Sequence, residues 1–145
     1  MRVFLDANVL FSASLFARGN APLLIEIGRA GSCRLLTSPV TLQEAERNLA
    51  RKAPQALDRF KHVQAVVELV LDAPADLLLW AEAQGLPVKD APILAAAVLA
   101  RADLLVMGDR RHFGPLFGRT LQGVRILALA DGLAAVLAEA EQDRH

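Results

Sequence analysis

Four acidic residues stand where a catalytic carboxylate could act: Asp6, Glu44, Asp90 and Asp109. Asp6 directly follows the apolar run Val3-Phe4-Leu5, and Asp109 follows the apolar run that ends at Gly108. An acid in that place lies at the carboxyl end of a buried parallel strand, the edge where open α/β sheets bind ligands. Carboxylates gathered there repel one another unless a cation joins them. Mg²⁺, which prefers oxygen ligands, is the usual cation of such a site.

Asp6 is the hardest of the four acids to explain by structure alone. A carboxylate at the end of a buried strand loses solvation, which is costly unless hydrogen bonds or a cation offset the loss. Its structural alternative is to cap the turn that follows. Asn8 would support Asp6 by hydrogen bonding or would simply hold that turn, since Asn favours turns. Asp6 is therefore the first candidate for a functional carboxylate.

The other three acids also fit local structural roles. Thr41-Leu42-Gln43-Glu44 matches a capping box at a helix start, and Asp90 is a good N-cap before Pro92. Asp109 is equally well an ordinary turn residue, whereas Asp103, at the opposite end of its strand, is expected to be structural. Capping and metal binding do not exclude each other, so these acids stay candidates.

Helical spacing adds information on Glu44. Leu42, Ala45 and Leu49 form an apolar stripe, while Glu44 and Asn48 lie together on the opposite face. We therefore expect Glu44 to point into a polar cleft, with Asn48 supporting it one turn further along.

Length and composition narrow the class of protein. The chain has 145 residues, of which 54% are hydrophobic, which predicts one domain spanning residues 1–145 with a single core. Cys33 is the only cysteine, so no intramolecular disulfide forms and a reducing cytoplasm fits. No apolar run approaches about 18 residues, so we expect no membrane-spanning helix.

Charge gives no simple sign of nucleic-acid binding. Basic and acidic residues both number 16, and the formal net charge is zero. If the four candidate acids are set aside as a metal site, 12 acidic residues face 16 basic ones, and the remainder carries +4. That surplus could act on a polyanion once a metal offsets the four acids.

Short apolar runs alternate with helical segments, which indicates an α/β fold with a parallel sheet wrapped by helices. The predicted strands are residues 2–6, 33–37, 104–108 and 124–128. The predicted helices are residues 22–30, 41–52, 55–69, 75–84, 91–102 and 131–142. Val70-Leu71 either belongs to a further short strand or ends the preceding helix.

A basic stretch provides a candidate track for phosphates. Residues 47–61 contain Arg47, Arg51, Lys52, Arg59 and Lys61, and Arg110 and Arg111 directly follow Asp109. Lysine and arginine contacts to phosphates make binding salt-dependent, although each of these side chains alone fits a solvated helix face. With no Tyr in the chain and Trp80 at a core-like helical position, aromatic stacking on bases is poorly supported. His112 is expected to pack or cap and is not counted as a metal ligand.

Four motifs in order resemble those of the PIN-domain ribonucleases. They are Val-Phe-Leu-Asp6-Ala-Asn8, Ser38-Pro39 with Glu44-Ala-Glu-Arg-Asn48, Lys89-Asp90-Ala-Pro-Ile, and Gly108-Asp109-Arg-Arg-His-Phe. The resemblance covers about residues 1 to 130. It implies a three-layer α/β/α sandwich with a central, mainly parallel sheet, and an acidic pocket for Mg²⁺ or Mn²⁺.

The same resemblance assigns roles to residues. Asp6, Glu44, Asp90 and Asp109 look like the metal-site acids of an endoribonuclease, with Asn8 beside the first. It also implies an RNA substrate and the part of toxin in a bacterial toxin–antitoxin pair of the VapC-like kind. Such a toxin would have a cognate antitoxin protein and would pair as a homodimer. Met107 departs from the family pattern: many relatives carry Ser or Thr two residues before the last Asp, and Met removes a possible hydrogen bond to the acids.

Two other classes of function are open. A PIN-like fold could serve as a binding module for nucleic acid or protein with weak or no catalysis, as the neutral net charge and Met107 would allow. Phosphoryl transfer through an Asp nucleophile is the other, because an Asp after a strand also begins aspartyl phosphatases. Against it, Asn8 stands where those enzymes place a second Asp.

Overall fold

The computed structural model describes residues 1–108 and 114–143. Within them a central sheet has the strand order β3-β2-β1-β4-β6-β5. Strands β1 to β4 and β6 pair in parallel, and β5 pairs antiparallel with β6. The strands are β1 (Arg2–Leu5), β2 (Arg34–Thr37), β3 (Glu68–Leu69), β4 (Leu104–Met107), β5 (Thr120–Leu121) and β6 (Val124–Ala128).

Seven α-helices lie within the described ranges. They are α1 (Ala7–Leu15), α2 (Asn20–Arg29), α3 (Pro39–Lys52), α4 (Leu57–Val66), α5 (Ala75–Glu82), α6 (Ala91–Leu99) and α7 (Leu129–Asp143). Short 3₁₀ turns occupy Pro54–Ala56 and Gly114–Leu116. None of these helices is long and apolar enough to cross a membrane, a finding confined to the described residues.

Alternate residues of the strands enter two separate cores, one on each face of the sheet. Val3 and Leu5 of β1 pack with α1 to α4 and α7, whereas Phe4 between them packs with α5 and α6. This alternation follows from the period-2 geometry of a strand. Helices cover both faces, so the strands are apolar throughout. The three-layer α/β/α sandwich with a mainly parallel sheet is confirmed.

The four predicted strands are present to within a residue at each end, but one helix was missed. Asn8 lies inside helix α1, so the alternative in which it only holds a turn is wrong, and its support of Asp6 stays a prediction. Asp6 is the N-cap of this helix, with its carboxylate accepting a hydrogen bond from the Val9 amide.

Two further local predictions are corrected. Helix α3 begins at Pro39 with Ser38 as its N-cap, so the capping box proposed for Thr41 and Glu44 does not start this helix. The predicted helix 55–69 is a 3₁₀ turn followed by α4, which ends at Val66, and β3 follows at Glu68–Leu69. The short strand suspected at Val70-Leu71 therefore exists two residues earlier, and the Val70 amide continues the pairing with the Thr37 carbonyl oxygen at 2.8 Å.

The amino edge of the sheet is fastened by Asp103, as expected of a structural residue. Its Oδ2 accepts a hydrogen bond from the Arg2 amide at 2.7 Å. Its own amide donates to the Arg2 carbonyl oxygen, and its carbonyl oxygen accepts from the Arg125 amide. Asp103 thus ties together the starts of β1, β4 and β6, at the end of the sheet opposite to Asp6.

Candidate active site at the carboxyl edge of the sheet

Asp6 is a buried carboxylate held by two backbone amides. Only 2% of the residue is exposed. Its Oδ1 accepts from the Val9 amide at 2.8 Å, and its Oδ2 accepts from the Gly108 amide at 3.1 Å. Such charge-assisted bonds stabilise an ionised acceptor and fix its orientation. Asp6 thus caps α1, and its carboxylate is fixed in orientation at the carboxyl edge of the sheet; its functional role stays a prediction.

Gly108 brings the end of β4 against the start of α1. A Cβ atom built on Gly108 would lie 2.8 Å from Asn8 Cβ, closer than real Cβ atoms come. Only a glycine therefore allows this approach without a shift, and the approach is what delivers the Gly108 amide to Asp6. Gly108 is part of the predicted motif, but no pattern in the sequence indicates this contact. Asp109, Arg110, Arg111, His112 and Phe113 lie outside the described residues, and Gly108 leads directly into them.

Three buried hydroxyl groups lie where β2 passes into α3. They belong to Thr37, Ser38 and Thr41, each about 1% exposed. Thr37 Oγ1 donates to the Leu5 carbonyl oxygen at 3.1 Å, and the Ser38 and Thr41 hydroxyls are 2.9 Å apart. Ser38 Oγ also accepts from the Thr41 amide. These bonds join the end of β2 to the end of β1 and fix the direction in which α3 leaves the sheet.

Glu44 and Asn48 lie on α3 with partly buried side chains, whereas Gln43, Glu46 and Arg47 on the same helix are exposed. Since α3 starts at the carboxyl end of β2, its second turn, which carries Glu44, stays near that edge. Losing the capping-box role removes the main structural explanation for Glu44. The partial burial of both residues agrees with a face turned toward neighbouring elements.

Asp90 precedes α6, where its backbone occupies the N-cap position but its side chain makes no capping hydrogen bond. Its Oδ2 atom is buried. Helix α6 returns the chain to the start of the parallel strand β4, so its N-terminus lies at the carboxyl edge of the sheet. Asp90 therefore does not cap α6 through its side chain, which weakens the purely structural explanation of this residue.

The donor chemistry suits Mg²⁺ or Mn²⁺, because Asp6, Glu44 and Asp90 offer only carboxylate oxygens. In the described part of the chain, however, no three His, Cys, Asp or Glu side chains come together as a group able to hold a metal ion. Asp109 is outside that part. The topology brings Asp6, Asp90 and the helix of Glu44 to one edge, and convergence of all four acids stays a prediction.

Met107 is a core residue. It is the last residue of β4, only 2% exposed, and it packs with Phe4, Leu105 and Ile126 in the core beneath α5 and α6. The next residue, Gly108, donates to Asp6 through its amide. The Met107 side chain thus fills space in the core.

The basic residues of the predicted track divide between two helices. Arg47, Arg51 and Lys52 are exposed on α3, with Arg51 Nη2 donating to Asn48 Oδ1 at 3.5 Å. On α4, Arg59 Nη1 donates to the Leu15 carbonyl oxygen at 3.3 Å at the end of α1, and Lys61 is exposed. The stretch is therefore not one continuous helical face.

A family model described as the PIN domain matches residues 2–111, about three quarters of the chain. The chain belongs to the PIN-domain family. None of the curated proteins matches its sequence significantly.

Solved structures share this PIN fold at low sequence identity. PAE2754 from Pyrobaculum aerophilum is 20% identical with a TM-score of 0.67, covering 95% of this chain and 96% of that one. VapBC2 from Rickettsia felis, bound to a DNA fragment from its promoter, is 15% identical with a TM-score of 0.65, covering 88% and 98%. VapC20 from Mycobacterium tuberculosis, a toxin that cleaves the sarcin-ricin loop, is 15% identical with a TM-score of 0.54, covering 75% and 91%.

Proposed function

We propose that this PIN-domain protein is a metal-dependent endoribonuclease that hydrolyses RNA phosphodiester bonds. The observation that carries the proposal is the buried Asp6 carboxylate, oriented by two backbone amides at the carboxyl edge of a PIN-fold sheet. Burying a carboxylate is costly unless hydrogen bonds or a cation offset the lost solvation, and the two backbone hydrogen bonds of Asp6 both offset this cost and fix the carboxylate in one orientation.

Asp6 and Asp90 would bind Mg²⁺ or Mn²⁺ directly, with Asp109 and Glu44 binding directly or through water. A bound metal would neutralise negative charge on the phosphodiester and would lower the pKa of a water molecule bound to it. The chain's own part is to hold Asp6 in one orientation through Val9 and Gly108 and to keep it out of bulk solvent. Asn8 and Asn48 would support the site as neutral polar residues. No side chain in this set has to act as a covalent nucleophile, and by family resemblance the products carry a 5′-phosphate and a 3′-hydroxyl.

We infer that the biological role is that of a toxin in a type II toxin–antitoxin pair. Similarity in fold to VapBC2 and VapC20 supports it. The implied partners are an RNA substrate and a cognate antitoxin protein. We also expect a homodimer and a cytoplasmic location, where RNA substrates are found.

The test is cleavage of a structured RNA with Mg²⁺, followed by excess chelator. We expect cleavage that stops when the metal is removed, and Asp6→Asn should reduce it by at least about 100-fold, as loss of an essential group in a catalytic unit does. Asp103→Asn is the matched control, because it removes an identical charge at the amino edge of the sheet. Metal-independent cleavage, or full activity in the Asp6 variant, would contradict the proposal.

The alternative is a binding module with weak or no catalysis. It is favoured by the formal net charge of zero and by Met107, which packs in the core. RNA binding by the wild type without cleavage under any metal condition, unchanged in Asp6→Asn, would support this alternative.

A further inference from the structure

Beside the acids, α3 presents a polar row that repeats every four residues: Glu44, Asn48 and Lys52. Glu44 and Asn48 are partly buried and Lys52 is exposed. The row starts near the carboxyl edge of the sheet and ends about 12 Å further along the helix, from the rise of about 1.5 Å per residue. It runs from a candidate metal ligand to a cation.

Lys52 is held by an aromatic ring of the neighbouring helix. Its Nζ lies 5.9 Å from the centre of the Phe11 ring, within the distance of a cation–π contact. Phe11 belongs to α1, is partly buried, and lies five residues after Asp6. Helices α1 and α3 pack together. Five residues of helical rise place Phe11 about 7.5 Å from Asp6 along the axis of α1.

The kind of partner distinguishes Lys52 from other cations. Arg29 and Arg34 are paired with carboxylates, at 2.6 Å to Glu26 and 2.7 Å to Glu68. A carboxylate cancels much of a cation's charge, whereas an aromatic ring positions the ammonium and leaves its charge available to an anion. In residues 1–108 and 114–143, no acidic side chain forms an ion pair with Lys52. Lys52 is therefore a cation that contacts an aromatic ring and forms no ion pair with those residues.

We propose that Lys52, positioned by Phe11, binds a backbone phosphate of the RNA at the surface where α1 and α3 pack together. This inference rests on the proposed ribonuclease function and deepens it. The phosphate belongs to a nucleotide next to the scissile bond, since Phe11 is little more than one helical turn from Asp6. Phe11 acts as a positioning residue for Lys52.

Binding is measured by fluorescence anisotropy of a labelled single-stranded RNA in the Asp6→Asn background, so that cleavage does not interfere. Lys52→Gln should weaken binding about 3- to 10-fold at about 0.1 M salt and reduce the slope of log affinity against log salt by about 0.7. Lys52→Arg should restore most of the affinity. Phe11→Leu should produce a smaller loss than Lys52→Gln, because the ammonium stays but is no longer held.

The matched control is Arg125→Gln, which removes one exposed positive charge at the amino edge of the sheet. It should leave affinity and salt slope unchanged. In the active protein, Lys52→Gln should raise KM with kcat within about twofold, the pattern for loss of uniform binding.

The outcomes separate the two proposals. If the wild type cleaves RNA but Lys52→Gln and Arg125→Gln have equal affinities and salt slopes, the Lys52 site is wrong and the ribonuclease stands. If the wild type neither binds nor cleaves RNA, both are overturned. Since Lys52 is exposed, its variants should fold normally, which circular dichroism verifies.

Discussion

Gly108→Ala tests whether the end of β4 orients the carboxylate of Asp6. The new methyl group would lie 2.8 Å from Asn8 Cβ and 3.5 Å from Asn8 C and Val9 N. Asn8 Cβ is bonded directly to the backbone, so no rotamer change relieves the overlap. The end of β4 and the first turn of α1 must therefore move apart, which lengthens the 3.1 Å bond from the Gly108 amide to Asp6 Oδ2.

The cost has two parts. Overpacking of this kind costs about 1–3 kcal/mol, and a weakened hydrogen bond to a charged group costs up to about 1.5–3 kcal/mol more. Replacing Gly by Ala also stabilises the fold by about 0.4–1 kcal/mol, because it reduces the conformational entropy of the unfolded chain. We therefore expect a net loss of about 1.5–5.5 kcal/mol in the free energy of unfolding, and a fall in Tm of roughly 4–17 °C for a chain of this size.

The assay combines urea denaturation followed by circular dichroism with RNA cleavage per folded molecule. Gly132→Ala is the matched control: its Cβ would lie 2.6 Å from Val106 Cγ2, so it crowds the same strand from α7. Both variants should lose stability. Only Gly108→Ala should also lose at least about tenfold in kcat, because small misplacement of a catalytic group is costly.

Three outcomes would refute this reasoning. Stability of Gly108→Ala within about 0.5 kcal/mol of the wild type, the range of a neutral surface substitution, would show that the overlap relaxes at little cost. Reduced stability with kcat unchanged would show that the Gly108 amide does not govern the orientation of Asp6. If Gly132→Ala lost as much kcat as Gly108→Ala, any crowding of β4 would be enough to reduce catalysis, and the effect would not be specific to the Gly108 amide.

Two smaller effects follow from shifted pKa values. Burial raises the pKa of the Cys33 thiol, so iodoacetamide at neutral pH should alkylate it far more slowly in the native protein than in urea; equal rates would contradict its burial. The bidentate hydrogen bond from Arg34 lowers the pKa of Glu68 in the folded state. The ion pair therefore contributes fully to the stability of the fold above the pKa of Glu68 in the unfolded chain, near 4.5. This contribution is lost as the pH falls through the lower pKa of the folded state. Glu68→Gln should therefore lower the free energy of unfolding by under about 1 kcal/mol at neutral pH, as expected for an exposed pair. In urea denaturation, the difference from the wild type should vanish at low pH. A difference that does not depend on pH would exclude the ion pair as its cause.

The strands and most helices were predictable because their signals are local. Val3-Phe4-Leu5 and Leu104 to Met107 are continuous apolar runs, as strands covered on both faces require. Helix α1 was missed because its residues are apolar or small on several faces, with Ala7, Val9, Leu10, Ala13 and Ser14 all buried. A helix buried on that much of its surface carries little amphipathic periodicity, and the Asp6 cap was the remaining clue.

The sequence predicted which acidic residues belong to the candidate site, but not which backbone groups hold Asp6 in place. Asp6 was found from its position after a strand. The Gly108 amide that holds it is 102 residues away in sequence, and such a backbone contact leaves no residue-type signal beyond the glycine itself. The start of α3 was misplaced by two residues because Ser38-Pro39 and Thr41-x-x-Glu44 are both valid caps, and only burial of Ser38 against the sheet decides between them.

Both edges of the sheet end in strands of two residues, β3 and β5. An exposed edge strand offers unpaired amides and carbonyls to other chains, and long flat edges promote aggregation by intermolecular strand addition. Here each edge has room for only a few such bonds. On β3, Glu68 also places a charge at the point of approach, although Leu69 beside it is 59% exposed. The protein can therefore expose apolar side chains at this edge and still resist aggregation by strand addition at high concentration.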